Sequence, residues 1–234
     1  MKVAPRRRSL LRRATLAWLL ALAVLPAAAQ DRERMRPVDR ELFAAAEAGN
    51  APAIAKALAA GANVNARDER GRTPAMAATH ARKAAAVEAL LAAGADVNLC
   101  DDQLDNPFLY AGAEGLLDIL RLAIAAGADP RITNRFGGTA LIPAAERGHV
   151  EVVRELLTRT KVDVSHVNNL GWTALLEAIV LSDGGPRHQR IVELLIAHGA
   201  DVNIADRGGV TPLAHARSRG YAAITAMLAK AGAR

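Results

Sequence analysis

Apolar residues recur along the chain at helical spacing, in short stretches separated by polar, glycine-rich segments. The clearest stretch is 150–157, where Val153, Leu156 and Leu157 fall at positions i, i+3 and i+4. This spacing places the apolar side chains on one face of a helix. The pattern predicts short amphipathic helices joined by loops.

The pattern repeats at a fixed interval. A Gly-Ala pair followed by Asn or Asp has its glycine at positions 61, 94, 127 and 199, with a partial copy at 232, and three of the steps are 33 residues. A second motif begins at Thr73 and returns at Asn106, Thr139, Thr173 and Thr211, always with an alanine five residues later. A fixed period of this length predicts an array of stacked helix pairs.

Each part of the motif has a structural reason. A Thr or Asn side chain caps a helix, and Pro fits the first helical turn. The alanine is small because neighbouring helices approach closely there. Glycine ends the second helix in a left-handed conformation. The Asp- and Asn-rich stretch that follows predicts a hairpin-like loop leading to the next helix pair.

These motifs resemble the ankyrin repeat over about residue 38 to 234. The resemblance implies an all-α ankyrin-repeat solenoid of about six helix-turn-helix units with hairpin-like loops. The predicted organisation is a signal peptide (1–29), a short linker (30–38) and a repeat domain (39–234). The units are 39–66, 67–100, 101–133, 134–167, 168–204 and 205–234, and the first and last are incomplete caps.

The sequence departs from the family pattern in three places, and each departure predicts a structural difference. Leu104 stands where other copies have glycine, so we expect a distorted loop in the third unit. Five extra residues around 182–186 predict an enlarged loop between the helices of the fifth unit. The histidine common in the family after Thr-Pro-Leu is replaced in every copy, so its loop network must be weaker or replaced. The replacing residues are Met76, Leu109, Ile142, Leu176 and Ala214.

Composition adds that aromatic residues are only 3% of the chain, so the core is built mainly from Ala, Leu, Val and Ile. The net charge of +6 lies in the first 29 residues, which hold six basic residues and no acidic one. Without those six, 24 basic residues balance 24 acidic ones. The high pI therefore does not indicate nucleic-acid binding.

The first 29 residues have the three parts of a secretory signal: a basic start, an apolar stretch of twelve residues and the small residues 27–29. We predict cleavage between Ala29 and Gln30. The apolar stretch is short for a membrane span, so no membrane association is expected after cleavage. Arg7-Arg8 also resembles a twin-arginine signal, which leaves that route open beside the favoured Sec route.

No catalytic motif, cofactor site or metal site is predicted. The six histidines are scattered without HExxH spacing, and no phosphate-binding loop or nucleophile elbow is present. His149 matches a family position and is interpreted as structural. Cys100, the only cysteine, is interpreted as a small apolar residue without a redox role.

Similarity to ankyrin proteins implies that loop tips and the exposed face of each first helix contact a partner protein. The aromatic and apolar residues Phe136, Leu170 and Trp172 lie on adjacent loops and predict a binding hot spot. The alternative is that these side chains fold back onto the loops as a minor core. The partner-binding candidates are Arg70, Arg72, Asp102, Arg135, Phe136, Arg147, Leu170, Trp172, Arg207 and Val210, and the same alignment adds Glu69, His80, Gln103, Asp105, Glu114, Glu146, Asn169, Ser218 and Arg219.

The sequence therefore predicts a non-catalytic, monomeric, periplasmic module that binds another protein. Two alternatives share the fold. One is a secreted effector acting on a host or neighbouring cell. The other is an accessory or immunity protein for a periplasmic enzyme.

Overall fold

The structure, a computed structural model, describes residues 35–234. The predicted signal peptide and its cleavage site at Ala29 and Gln30 lie outside the described residues. Residues 35–234 form twelve helices: α1 Pro37–Ala48, α2 Ala51–Ala59, α3 Pro74–His80, α4 Ala84–Ala92, α5 Pro107–Glu114, α6 Leu117–Ala125, α7 Leu141–Glu146, α8 Val150–Arg159, α9 Ala174–Val180, α10 Pro186–Ala197, α11 Pro212–Ser218 and α12 Ala222–Lys230.

The helices form six antiparallel pairs stacked in two rows. The first helices of the pairs, α1, α3, α5, α7, α9 and α11, pack successively against one another. The second helices, α2, α4, α6, α8, α10 and α12, pack successively against one another in the other row. This arrangement confirms the all-α repeat of about six helix pairs. No helix in residues 35–234 has the length and apolar character needed to cross a bilayer.

Small residues allow the first helices to lie close together. The alanine found five residues after each repeated Thr or Asn is fully buried in all five copies. At Gly112 on α5, an added Cβ would lie 2.8 Å from the Cβ of Ala140, so even alanine would be too large there. The first helices therefore pack backbone to backbone, as the repeated alanine predicted.

The predicted helix caps are present at four of the five repeated positions. The side-chain oxygen of each accepts a hydrogen bond from the backbone N–H three residues later, at 2.9–3.3 Å. The capping residues are Thr73, Asn106, Thr173 and Thr211.

The predicted cap at Thr139 is wrong. The N–H of Ile142 bonds the carbonyl oxygen of Thr139 at 3.2 Å, in a turn, and not its hydroxyl. The Thr139 Oγ1 is buried and has no hydrogen-bond partner among the described residues. Helix α7 consequently starts later, at Leu141, and has only six residues.

Each loop is fixed by the side chain at its first position. One side-chain oxygen of this Asp or Asn accepts hydrogen bonds from the N–H groups two and four residues later, all at 2.8–3.0 Å. These bonds lie within a single loop and do not join adjacent loops. The five residues are Asp68, Asp101, Asn134, Asn168 and Asp206.

A second series of hydrogen bonds joins consecutive units. Asn65 Oδ1 accepts from the N–H of Asp96 at 2.9 Å, and Asn98 Oδ1 accepts from the N–H of Asp129 at 2.8 Å. Ser165 and Asn203 repeat the contact further along. The series skips Arg131, whose guanidinium instead bonds Asp129 within its own unit.

The expected distortion of the Leu104 loop is wrong. Leu104 adopts the left-handed conformation with φ 59°, as Gly71 does with φ 70°. Its N–H bonds the carbonyl of Asp101 at 3.0 Å, the counterpart of the Gly71–Asp68 bond at 2.9 Å. The two side-chain bonds to Asp101 hold the loop in the common shape, so the cost is backbone strain and not a changed geometry.

The five extra residues of the fifth unit are only partly in the loop. Residues 181–185 separate α9 from α10, against three residues between α7 and α8. Pro186 is not a loop residue but begins α10, which extends to twelve residues. The Tyr221 hydroxyl donates to the Ser182 carbonyl at 2.6 Å and anchors the loop to the sixth unit.

Replacing Leu104 by glycine is expected to raise the free energy of unfolding by about 0.5–1 kcal/mol. Glycine removes the left-handed strain, and little packing is lost because Leu104 is 52% exposed. Chemical denaturation measures the change. The matched control is Gln103→Gly, one residue earlier and without a positive φ, which should lower stability. A loss of stability in Leu104→Gly would contradict the strain argument.

Candidate partner-binding groove

The loops and the first helices enclose a groove of about 500 Å³ at the centre of the array. Helices α3, α5, α7 and α9 form its floor, and the loops before α5, α7 and α9 form one wall. Its lining comprises His80, Asp101, Gln103, Asp105, Tyr110, Ala113, Glu114, Asn134, Arg135, Phe136, Gly138, Ile142, Pro143, Glu146, Arg147, Asn168, Leu170, Glu177 and Leu181.

The groove brings together four of the ten predicted partner-binding residues: Arg135, Phe136, Arg147 and Leu170. The other six lie on loop tips outside this lining. Those six are Arg70, Arg72, Asp102, Trp172, Arg207 and Val210.

Two apolar side chains stand exposed on adjoining loops at the groove wall. Phe136 is 51% exposed and Leu170 is 55% exposed. The N–H of Asn169 bonds the Phe136 carbonyl at 2.9 Å, which holds the two loop tips side by side. The Arg135 guanidinium lies 4.7 Å from the centre of the Phe136 ring, a cation–π contact. Trp172, grouped with these residues from the sequence, is half-buried.

Four of the five arginines among the predicted contacts already have side-chain partners within the protein. Arg147 pairs with Glu114, and Arg72 pairs with Asp68 at 2.7 Å. The Arg207 side chain donates to the backbone carbonyl of Asn169. These arginines help to hold the loops and helices in register. A partner protein would therefore contact arginines that already form intramolecular hydrogen bonds or ion pairs.

Glu177 is the most perturbed acid of the groove. It lies on α9, is only 5% exposed, and accepts a hydrogen bond from Asn168 Nδ2 at 2.8 Å. Burial, together with the nearby negative charge of Glu146, raises the pKa of Glu177 from 4.5 to about 7. The carboxyl is therefore partly protonated near neutral pH.

Sequence reasoning missed Glu177, Tyr110 and Leu181. Glu177 had one signal, since it is the only charged residue in the otherwise apolar helix 174–180. Tyr110 and Leu181 had none, because the side of a short helix that faces a groove depends on how the next unit stacks.

The histidines hold the units together. His149 Nε2 lies 3.2 Å from the Ala113 carbonyl and His188 Nε2 lies 2.9 Å from the Glu146 carbonyl, each reaching the preceding unit. Burial lowers the pKa of His149, which favours its neutral form. Within residues 35–234, no group of three or more His, Cys, Asp or Glu side chains is placed so that it could hold a metal ion.

Cys100 is half-buried and unreactive in character. Its Sγ lies 3.6 Å from the Asn98 carbonyl. Burial and the carboxylates of Asp101 and Asp105 raise the pKa of the thiol. A raised pKa leaves little thiolate at neutral pH.

Comparison with known protein families gives one result for the whole array. A model described as ankyrin repeats in three copies matches residues 42–134 and 108–206. These matches together span residues 42–206, well over half of the chain.

Individual proteins that are similar to this chain are also ankyrin-repeat proteins. The chain is 52% identical over 99 residues to the ankyrin repeat protein YahD of Escherichia coli (strain K12), covering 42% of this chain and 49% of that protein. The chain thus spans about half the length of this curated relative. An ankyrin repeat domain of Acinetobacter baumannii AYE is 53% identical with a TM-score of 0.81, covering 82% of this chain and 98% of that one. The ankyrin repeat protein EF0377 is 38% identical with a TM-score of 0.78, at the same coverage.

Glu177→Gln is expected to stabilise the protein at pH 8 and to have little effect at pH 4. The folded pKa of about 7 lies above the ordinary 4.5, so ionisation favours the unfolded chain as pH rises through this window. At pH 8 the free energy of unfolding of Glu177→Gln should therefore exceed that of the wild type by about 2–3 kcal/mol. Denaturation at both pH values measures it.

The control for this measurement is Glu88→Gln. Glu88 is exposed on α4 and makes no ion pair within residues 35–234, so its substitution should give the same small effect at both pH values. A Glu177→Gln variant equally stable to the wild type at pH 8 would contradict the raised pKa.

Proposed function

Because the chain belongs to the ankyrin-repeat family, we propose that it is a non-catalytic module that captures another protein. The contacts are made by the loop tips and by the groove-facing side of the first helices. Ankyrin repeats generally bind proteins, and the exposed apolar residues of this chain support the loop tips and the groove as the contact surface.

The exposed pair Phe136 and Leu170 carries this proposal. Two large apolar side chains at more than half exposure, held side by side by a backbone hydrogen bond, are unfavourable in water. Burial of such a pair under a partner, beside the guanidinium of Arg135, has the composition of a binding hot spot. The Asp and Asn bonds that fix the loops also reduce the entropy lost on binding.

We further propose that the protein acts in the periplasm. The support is the sequence of residues 1–29, with its basic start, apolar middle and small residues before Gln30. Half-buried, poorly ionised Cys100 suits an oxidising compartment, since it offers little thiolate for unwanted disulfides.

Phe136→Ala and Leu170→Ala are each expected to weaken partner capture by about tenfold, and to change the free energy of unfolding by less than about 0.5–1 kcal/mol. The lost contacts belong to the interface, since both side chains are about half exposed in the free protein. Capture from periplasmic extract by the immobilised protein, quantified by mass spectrometry, provides the comparison.

Val167→Ala is the matched control for partner capture. Val167 is 45% exposed but lies outside the groove lining, so its substitution should leave the captured proteins unchanged. If all three variants retain the same proteins in the same amounts, Phe136 and Leu170 are not the binding surface.

The exported protein should begin at Gln30. Fractionation of the producing cells, followed by N-terminal sequencing of the periplasmic form, checks both the compartment and the cleavage point. Recovery of the uncleaved chain in the cytoplasm would refute export, and recovery in the culture medium would favour a secreted effector.

A further inference from the structure

Three carboxylates of the groove have neither a salt bridge nor a backbone N–H bonded to the side chain within residues 35–234. Asp105, Glu146 and Glu177 all line the groove, and none of them forms a salt bridge in this part of the chain. The remaining two acids differ. Asp101 accepts two backbone N–H groups, and Glu114 is paired with both Arg82 and Arg147.

The two arginines of the groove form no salt bridge with these three acids, and their charges offset only part of the rise that burial causes in the pKa of Asp105. Arg147 is engaged by Glu114 and by the Ala113 carbonyl, while Arg135 donates to Gln103 Oε1 at 2.9 Å and covers the Phe136 ring. Five acids thus face two arginines in the lining, with Glu146 and Glu177 on the floor helices and Asp105 in the loop before α5. The groove carries an excess of negative charge.

Glu177 shows that this charge is costly to the free protein. The Glu177 side chain is only 5% exposed, yet it lines the groove. Its Oε1 accepts from Asn168, and its Oε2 accepts no hydrogen bond from residues 35–234. A buried carboxylate with an open acceptor and no cation is destabilising, and a cation supplied by a ligand would offset that cost.

Apolar side chains stand beside these acids. Phe136 and Leu170 form the loop wall, and Leu181, 51% exposed, extends the apolar surface at the end of α9. An acidic floor with an apolar border matches a ligand that presents a cationic group next to an apolar one.

We propose that the groove binds a basic peptide segment of the partner protein. In that segment an arginine or lysine side chain reaches Glu146 and Glu177, and an adjacent apolar side chain packs on Phe136, Leu170 and Leu181. This inference rests on the proposed protein-binding function and adds the chemistry of the segment that is bound. Charge complementarity selects a basic segment over an acidic or neutral one.

Selection from a displayed library of random twelve-residue peptides tests the inference, with the full chain as bait. Peptides that also bind a Phe136→Ala/Leu170→Ala variant are removed, so that groove binders remain. We expect the enriched peptides to carry arginine or lysine next to an apolar residue. A synthetic copy should bind the Glu146→Gln/Glu177→Gln variant at least about tenfold more weakly.

A double-mutant cycle isolates the charge contact. Replacing the basic peptide residue by glutamine should lower the affinity for the wild type by about tenfold. The same replacement should leave the affinity for Glu146→Gln/Glu177→Gln almost unchanged. The Glu88→Gln variant should bind as the wild type does. Thermal unfolding of each variant separates a binding defect from a folding defect.

Two outcomes would overturn the inference. Enriched groove binders that lack arginine and lysine, or that bind the double glutamine variant equally well, would refute the charge contact while leaving the protein-binding function intact. Failure to enrich any groove-dependent peptide would also refute it, and partner capture from extract would then decide the protein-binding function separately.

Discussion

One side-chain oxygen at the start of each loop fixes the shape of the edge that the loops form. In all five loops it accepts two backbone N–H groups, so an otherwise exposed turn is held by bonds that do not depend on the residues at the tip. The tip residues are thereby free to vary, which is how Phe136 and Leu170 can stand in water without loss of the loop. Leu104 illustrates the strength of the constraint, because the loop forces a leucine into a conformation normally left to glycine.

The units are joined by a second, less regular set of contacts. Small buried residues such as Ala111 and Ala144 set the spacing of the first helices, and histidines at the start of the second helices reach back to the preceding unit. The Asn series between units is interrupted at Arg131. The fourth and fifth units keep the series through Ser165 and are joined a second time at the loop tips, by the bond from the Asn169 N–H to the Phe136 carbonyl. That tip contact lies at the proposed binding surface, so the stacking of these two units and the presentation of the apolar pair are linked.

The groove combines features that an isolated helix pair could not produce. The negative charge of Glu146 on α7 acts on Glu177 on α9, and the raised pKa of Glu177 follows from burial by neighbouring units. In a single unit the same glutamate would be exposed and ordinary. A repeat array can therefore create a distinctive electrostatic site from common residues, by the stacking of one unit on the next.

The sequence by itself determined the repeat, its helix pairs and its loops, because these depend on local spacing. Thr73 and Asn106 cap helices, and the glycines at 61 and 94 end them, for reasons contained within a few residues. Even so, a local rule failed at Thr139, where a backbone turn displaced the cap. The candidate site was predicted in part: Phe136 and Leu170 are visible as apolar residues in polar loops. Only the tertiary structure decided that Glu177 and Leu181 face the same groove and that Trp172 is half-buried, because burial and charge proximity arise between residues of different units.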